Sequence, residues 1–389
     1  MKYNFDEIIN RIGTASEKWE SGGHGGVYFD KNSLSFSIAD MDFALAPCID
    51  RAIRDRLDQK VLGYTDVNTD DYRDAVTGWF NRRFGWKING GLIYAVDGVM
   101  PGVRKAISAH TEPGDGVIIQ QPVYPPFMSS VESLGRKIVV NRLIKGADNF
   151  YTMDFDALEA QLADKNNKVM LLCSPHNPVG RVWTKEELET VADLCHKHGV
   201  VLVSDEIHCD LTRTGIVNIP VAKLRPEYDI ITCVSPSKTF NIAGLQVANM
   251  VFTNMALRKK TAGPGGVQMA NPLSKAALIG AYNGGDDWLD EARKYIDGNL
   301  VFLKEWLEAN LPKVKYLVPQ GTYLTWLDIS AYQPDSEKFA KDCGRGGIIV
   351  EQGDVFGEGG KGFIRFNVGT PKANIAEGLA RMKKVIEAY

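Results

Sequence analysis

Four polar side chains in this sequence stand at or just beyond the ends of apolar runs, and each is of a type that chemistry can use. Lys238 lies in Ser235-Pro236-Ser237-Lys238, directly after the apolar DIITCV. A lysine so placed can be desolvated, which lowers its pKa and makes its amine a nucleophile toward an aldehyde. Asp205 closes VVLVSD, and a carboxylate buried there demands a cationic partner. Asn177 follows KVMLLCSP, and Arg365 sits within FIRFNV. In open α/β sheets the carboxyl ends of strands are where ligands bind.

The elements that must position these residues can be read from the apolar pattern. Tyr72, Ala75, Val76, Trp79 and Phe80 form a helical stripe over residues 67–83. GLIYAV and GVIIQQP then read as strands, the first followed by the helical MPGVRKAISAHT and the second by YPPF and another helical stretch. KVMLLCSP, VVLVSDE and DIITCVSPS read as buried strands; between the first two, Thr184 and Glu187 make a capping box for a helix that ends at Gly199. Such alternation indicates a mainly parallel sheet covered on both faces. Near Asp286 a long amphipathic helix begins. It is followed by strand-like KYLVP, TYLTWLDI, GIIVEQG and FIRFNV, a helix near Ser336–Cys343, and a last helix in ANIAEGLARMKKVIEA. The first fifty residues read as irregular, with a glycine cluster (Gly22, Gly23, Gly25, Gly26) and a short strand near LSFSIAD. A large domain over residues 50–287 and a smaller α+β domain from 1–49 plus 288–389 account for this order.

Composition narrows the function classes. With 45 Lys+Arg against 48 Asp+Glu in 389 residues the net charge is −3, which argues against nucleic acid or an anionic membrane as partner. No apolar run reaches the roughly 18–20 residues of a spanning helix, and MKYNFDEIINRIG lacks the apolar centre of a signal peptide, so the cytoplasm is expected. The six cysteines form no CxxC pair, which argues against a disulfide framework or a structural metal site. Many of the 38 glycines fall at strand-to-helix turns, where α/β enzymes hold anionic ligands. A reactive lysine, a buried carboxylate and an anion cradle are what pyridoxal 5′-phosphate requires of a protein.

The segments SPHNPVGRVW, SDEIHCDL, SPSKTFNIAGLQ and FIRFNVGTP resemble fold-type I pyridoxal-phosphate enzymes of the class I/II aminotransferase superfamily. Within it, ADMDF at Ala39–Phe43, GYTD at Gly63–Asp66, DEIH and KTFNIAGLQ resemble the MalY/PatB-type cystathionine β-lyases, or cysteine C-S lyases. The resemblance covers essentially the whole chain in order. It implies the fold-type I transferase architecture, with a seven-stranded, mainly parallel sheet in the large domain. It further implies that Lys238 bonds the cofactor aldehyde and, once released, removes the substrate Cα proton. Asp205 would keep the pyridine nitrogen protonated, Asn177 would bond the phenolic oxygen, and Tyr124 would stack on the ring. The amides of Val99 and Met100 and the hydroxyls of Ser235 and Ser237 would hold the phosphate, joined by Tyr64 from a neighbouring subunit. Arg365 would bind the substrate carboxylate, with Ala39 and Asp40 beside the substrate. A homodimer with shared active sites follows from the role of Tyr64.

Two positions depart from the general aminotransferase pattern. Gln246 stands where many aminotransferases carry a phosphate-binding arginine, and His208 where they often carry a tyrosine near the ring oxygen. Both fit the C-S lyase branch. The expected activity is therefore α,β-elimination on cystathionine or a related S-substituted cysteine, giving thiol, pyruvate and ammonia. An aminotransferase is the alternative within the fold, and a regulatory binding protein that kept the fold is the alternative outside catalysis. The preferred thioether, the pathway and any regulator protein stay open. Several other features read as structural: His196 and His198 complement a helix C-terminus, Glu206 is a structural carboxylate, and GEGGKG at Gly357–Gly362 is a turn-rich loop without the spacing of a nucleotide-binding one.

Overall fold

The apolar runs become strands of one sheet, and the alternation within each run assigns its residues to two buried faces. In the computed structural model, which describes residues 2–20, 31–263 and 268–389, seven strands join. They are β1 (Ile93–Val96), β2 (Gly116–Ile119), β3 (Lys137–Val140), β4 (Asn167–Cys173), β5 (Val201–Asp205), β6 (Ile230–Val234) and β7 (Ala248–Phe252). Their spatial order is β1-β7-β6-β5-β4-β2-β3. All neighbouring pairs from β6 to β3 are parallel, while β7 runs antiparallel to β6 and β1. Val117, Ile119, Val169, Leu171 and Val203 pack on one face with Val103, Ile107 and Phe127. Ile118, Met170, Leu172 and Leu202 pack on the other with Trp183, Leu188 and Val191. Helices cover both sides, so these strands need no polar face.

β7 is not anticipated from the pattern along the chain. Between β6 and β7 lie only the short helix Pro236–Thr239 and the 3₁₀ turn Ala243–Leu245. That is too little to carry the chain back for a parallel pairing, so the strand reverses. The helix over Lys185–His198 opens with the Thr184/Glu187 capping box and ends at Gly199 in the left-handed region. The stripe read over residues 67–83 forms the helix Asp70–Phe84, with Gly85 as its left-handed cap. Helices Pro47–Asp58 and Pro272–Gly284 pack on each other. At Gly280 a Cβ would meet Ala52 Cβ at 2.7 Å and Cys48 O at 2.9 Å, so that contact requires glycine.

A second, four-stranded antiparallel sheet follows the long helix Asp286–Asn310 and joins Lys315–Tyr316, Leu324–Asp328, Phe363–Asn367 and Glu351–Gln352. GIIVEQG does not stay one strand. Ile348–Ile349 pairs in parallel with Leu34–Ser35, whereas Glu351–Gln352 pairs with Phe363–Asn367. The N-terminal residues therefore complete this part of the molecule, with Phe36 stacked on Phe366 at 4.2 Å and Phe5 packed against Phe43, Trp288 and Tyr295. The glycine cluster at residues 22–26 lies outside the described residues. Among the described residues no helix is long and apolar enough to cross a membrane, and no group of acidic, His and Cys side chains could hold a metal ion.

Candidate active site

Cys173, Asp205 and Cys233 are register partners across β4, β5 and β6, so the three central strands end level. The chain leaves each strand on the same edge. Asn177, Asp205, His208, Ser237 and Lys238 thereby converge on one cavity of about 380 Å³. β1 and β2 end on that edge too, adding Gly98–Pro101 and Tyr124 to the wall; Ala39 and Gln246 close it from other segments.

Lys238 is held by its own turn. Ser235 caps the short helix by accepting from the Ser237 N–H at 3.0 Å, and its hydroxyl donates to Val247 O at 2.6 Å. One residue beyond the lysine, Thr239 donates to Asp210 at 2.8 Å, and Trp79 Nε1 donates to the same carboxylate at 3.2 Å. The lysine amine donates to Ala39 O at 2.5 Å. Burial pushes its pKa down to about 8; Asp40 opposes that, Arg365 adds to it, and Asp205 again opposes. Loss of charge at near-neutral pH is what a nucleophile or base requires.

Asp205 lies at the floor. Burial raises its pKa to about 7, against the Ile207 N–H, which it accepts at 3.0 Å, and the charge of Lys238. Among the described residues no cationic side chain forms an ion pair with it. His208 is driven down to about 3 by burial, then by Lys238 and Arg365, so it is a neutral ring, and its buried Nδ1 has no partner among the described residues. Arg365 is buried behind Asn177. It donates to Asn177 Oδ1 at 3.4 Å and Ser37 O at 2.6 Å, and lies 3.7 Å from Glu351.

The helix Val99–His110 points its N-terminus into the cavity. Its cap is Gly98, at φ +122°, and among the described residues no side chain satisfies the first amides. Free N–H groups at a helix start attract an anion. A buried carboxylate lacking a cation, an unpartnered imidazole nitrogen and an uncapped helix start fit the pyridine nitrogen, ring oxygen and phosphate of pyridoxal 5′-phosphate. Asp205, His208 with Asn177, and the amides of Val99 and Met100 would meet these groups, and Lys238 would meet the aldehyde.

Other expected residues stand apart from the cavity. Ser235 is consumed by its contacts with Val247 and Ser237, and only Ser237 reaches the wall. The Asp40 carboxylate turns outward to Arg11 at 2.8 Å, leaving its neighbour Ala39 at the wall. Tyr64 is 99 % exposed and does not line this cavity. Sequence reasoning missed Tyr323, whose hydroxyl donates to Ala39 O at 2.9 Å. It also missed Asn241, which bonds Met41 from the lysine turn; its place in KTFNIAGLQ was the one available signal.

Comparison with known proteins adds to this geometry. The family model described as aminotransferase class I and II matches residues 31–382. The chain is 41 % identical to cystathionine beta-lyase PatB of Bacillus subtilis, over 98 % of this chain and 100 % of that protein. It is 34 % identical to protein MalY of Escherichia coli, over 99 % of each chain. Among solved structures, the PLP-bound C-S lyase of Staphylococcus hominis superposes with a TM-score of 0.91 at 35 % identity, covering 99 % of both chains.

Proposed function

The chain belongs to the class I and II aminotransferase family, and on that premise we propose that it is a pyridoxal-phosphate-dependent carbon–sulfur β-lyase. Its substrate would be cystathionine or a related S-substituted cysteine. The observation that carries the reading is the convergence of a depressed-pKa lysine, an uncompensated buried carboxylate and an uncapped helix start in one cavity. Full-length likeness to proteins named as cystathionine β-lyases and C-S lyases favours elimination over amino-group transfer.

When bound, pyridoxal phosphate supplies an electron sink for the bonds at the substrate α-carbon. The protein's part follows from its geometry. Asp205 would hold a proton at the pyridine nitrogen, which its burial and raised pKa suit it to share. Tyr124, Asn177 and His208 line the cavity; Tyr124 would limit tilt of the ring, and Asn177 with His208 would meet the phenolic oxygen. Arg365 offers its buried fork to the substrate carboxylate, with Asn177 already at its side. Lys238 takes the proton from Cα, the Cβ–S bond breaks, and the sulfur leaves as a thiolate that takes up a proton. Water converts the remaining three carbons to pyruvate and ammonia.

The finer assembly belongs to the same proposal. Tyr64 reaches the cofactor phosphate of a partner subunit, which makes the working unit a homodimer. Exposed Leu57, Val61, Leu62 and Met269 around it support that reading. Six free cysteines suit a reducing compartment, and we place the enzyme in the cytoplasm. Replacing the lysine tests the chemistry. Lys238→Ala should load cofactor without the visible absorbance of the lysine-linked form and should release thiol from L-cystathionine at least about a thousandfold more slowly. Thiol release at the native rate from that variant would refute the assignment.

A further inference from the structure

Ala39, at the pocket wall facing Lys238, belongs to a strip of backbone, residues 37–42, that is held from two sides. On the inner side Ala39 O accepts from both the Lys238 amine and the Tyr323 hydroxyl. Asn241, three residues beyond the lysine, closes a two-way pair with Met41: its Oδ1 accepts the Met41 N–H and its Nδ2 donates to Met41 O, each at 2.7 Å. On the outer side the strip turns two carboxylates toward the N-terminal arm. Arg11 lies 2.8 Å from both Asp40 and Asp42 and donates to Met41 O at 3.2 Å. Lys18 lies 2.8 Å from Asp42 and donates to Asp40 O at 3.2 Å, while Trp19 Nε1 donates to Asp42 at 2.8 Å.

The inner half of this cluster is buried: Lys18 is 0 % exposed and Asp42 nearly so, while Arg11 and Asp40 stay partly exposed. Burial alone would raise the Asp42 carboxyl, but Lys18, Trp19 and Arg11 hold it below the usual range. Apolar residues would fasten an arm to a core at least as well; interlocked charges do something else, fixing one register of two segments. The segment so fixed is the one whose carbonyl receives the catalytic amine.

We infer that Arg11 and Lys18 are positioning residues for Lys238: by clamping Asp40 and Asp42 they set the Ala39 carbonyl that orients the lysine amine. The inference rests on Lys238 being the proton-moving group proposed above. It has an electrostatic side as well. The charges that act on the amine are Asp40 from behind the Ala39 strip, Arg365 and Asp205, with the neutral His208 ring alongside. Arg11 engages both oxygens of Asp40. Without Arg11, Asp40 would keep only the more distant Lys18, at 3.7 Å, and its charge would act more strongly on the amine and make it more basic.

The test uses the cofactor-loaded full-length protein. Arg11→Met is one variant. The second is the charge-matched pair Lys18→Met with Asp42→Asn, since Lys18→Met alone would strand a buried carboxylate. Titrating the visible absorbance with pH reads the lysine-linked cofactor independently of turnover. Arg11→Met should move that midpoint upward, and both variants should lower kcat for thiol release about tenfold or more while KM changes less than about twofold. A native midpoint in Arg11→Met together with native kcat in both folded variants would overturn the inference. If the wild type loads cofactor but releases no thiol, the proposed lyase activity fails instead, and the midpoint still decides the role of Arg11.

Discussion

At the residue scale the site depends on carboxylates that burial has made reluctant to ionise. Asp205 has a folded pKa of about 7, against about 3.9 in an unfolded chain. The folded protein therefore binds this proton more tightly. The stability it contributes is complete below about pH 4 and is lost as the pH rises through about 7. Cofactor-free Asp205→Asn, which cannot ionise, should gain on cofactor-free wild type between about pH 5 and pH 8, by roughly 2–4 kcal/mol at the upper end. Urea unfolding at several pH values measures this, and a difference that is flat or shrinks with pH would contradict it. Asp210, also raised by burial, is common to both proteins and cancels; Glu206, raised by burial and further by the Asp205 charge, relaxes in the variant and adds in the same direction. Lys238 and Asp205 were legible because each ends an apolar run. Arg11 and Lys18 were not: the carboxylates they clamp are about 20 to 30 residues away in sequence, and nothing local distinguishes them from solvated charges.

At the element scale, the helix Val99–His110 does two jobs with one terminus. Its apolar face, with Val103, Ala106 and Ile107, seals one side of the sheet, and its uncapped start faces the cavity. Gly98 makes the join possible, because φ +122° is a conformation that side chains rarely adopt. Gly98→Ala should impose strain of about 1–3 kcal/mol. Relaxing that strain turns the first amides away from the anion. Cofactor affinity should fall roughly tenfold for each 1.4 kcal/mol lost there, measured by titrating cofactor-free protein with pyridoxal phosphate; native affinity would show that the helix start does not hold the phosphate. Five strands of the large sheet were readable from their apolar runs, whereas β3 and β7 were not read and GIIVEQG was misread as one strand. Its division is imposed by Leu34–Ser35, a partner from the far end of the sequence, and local pattern carries no trace of it.

For the whole molecule, two parts of the chain meet over one cavity. The central sheet supplies the lysine, the aspartate and the helix start; the part built from both chain ends supplies Ala39 to the wall, while its Arg365 does not line the cavity and stays buried behind Asn177. The order of motifs made this architecture legible, but the path of the N-terminal arm was not, because its hold depends on contacts with residues near 290 and 370. The proposed dimer would add Tyr64 to a cavity that its own protomer leaves out of reach. The central claim is that this assembly eliminates a thiol rather than exchanging an amino group. Pyruvate release from L-cystathionine by the cofactor-loaded protein, with no keto acid added, tests it most directly. Continuous, multiple-turnover release without an acceptor is the predicted result; turnover that stops after one equivalent and resumes only when a keto acid is supplied would contradict it.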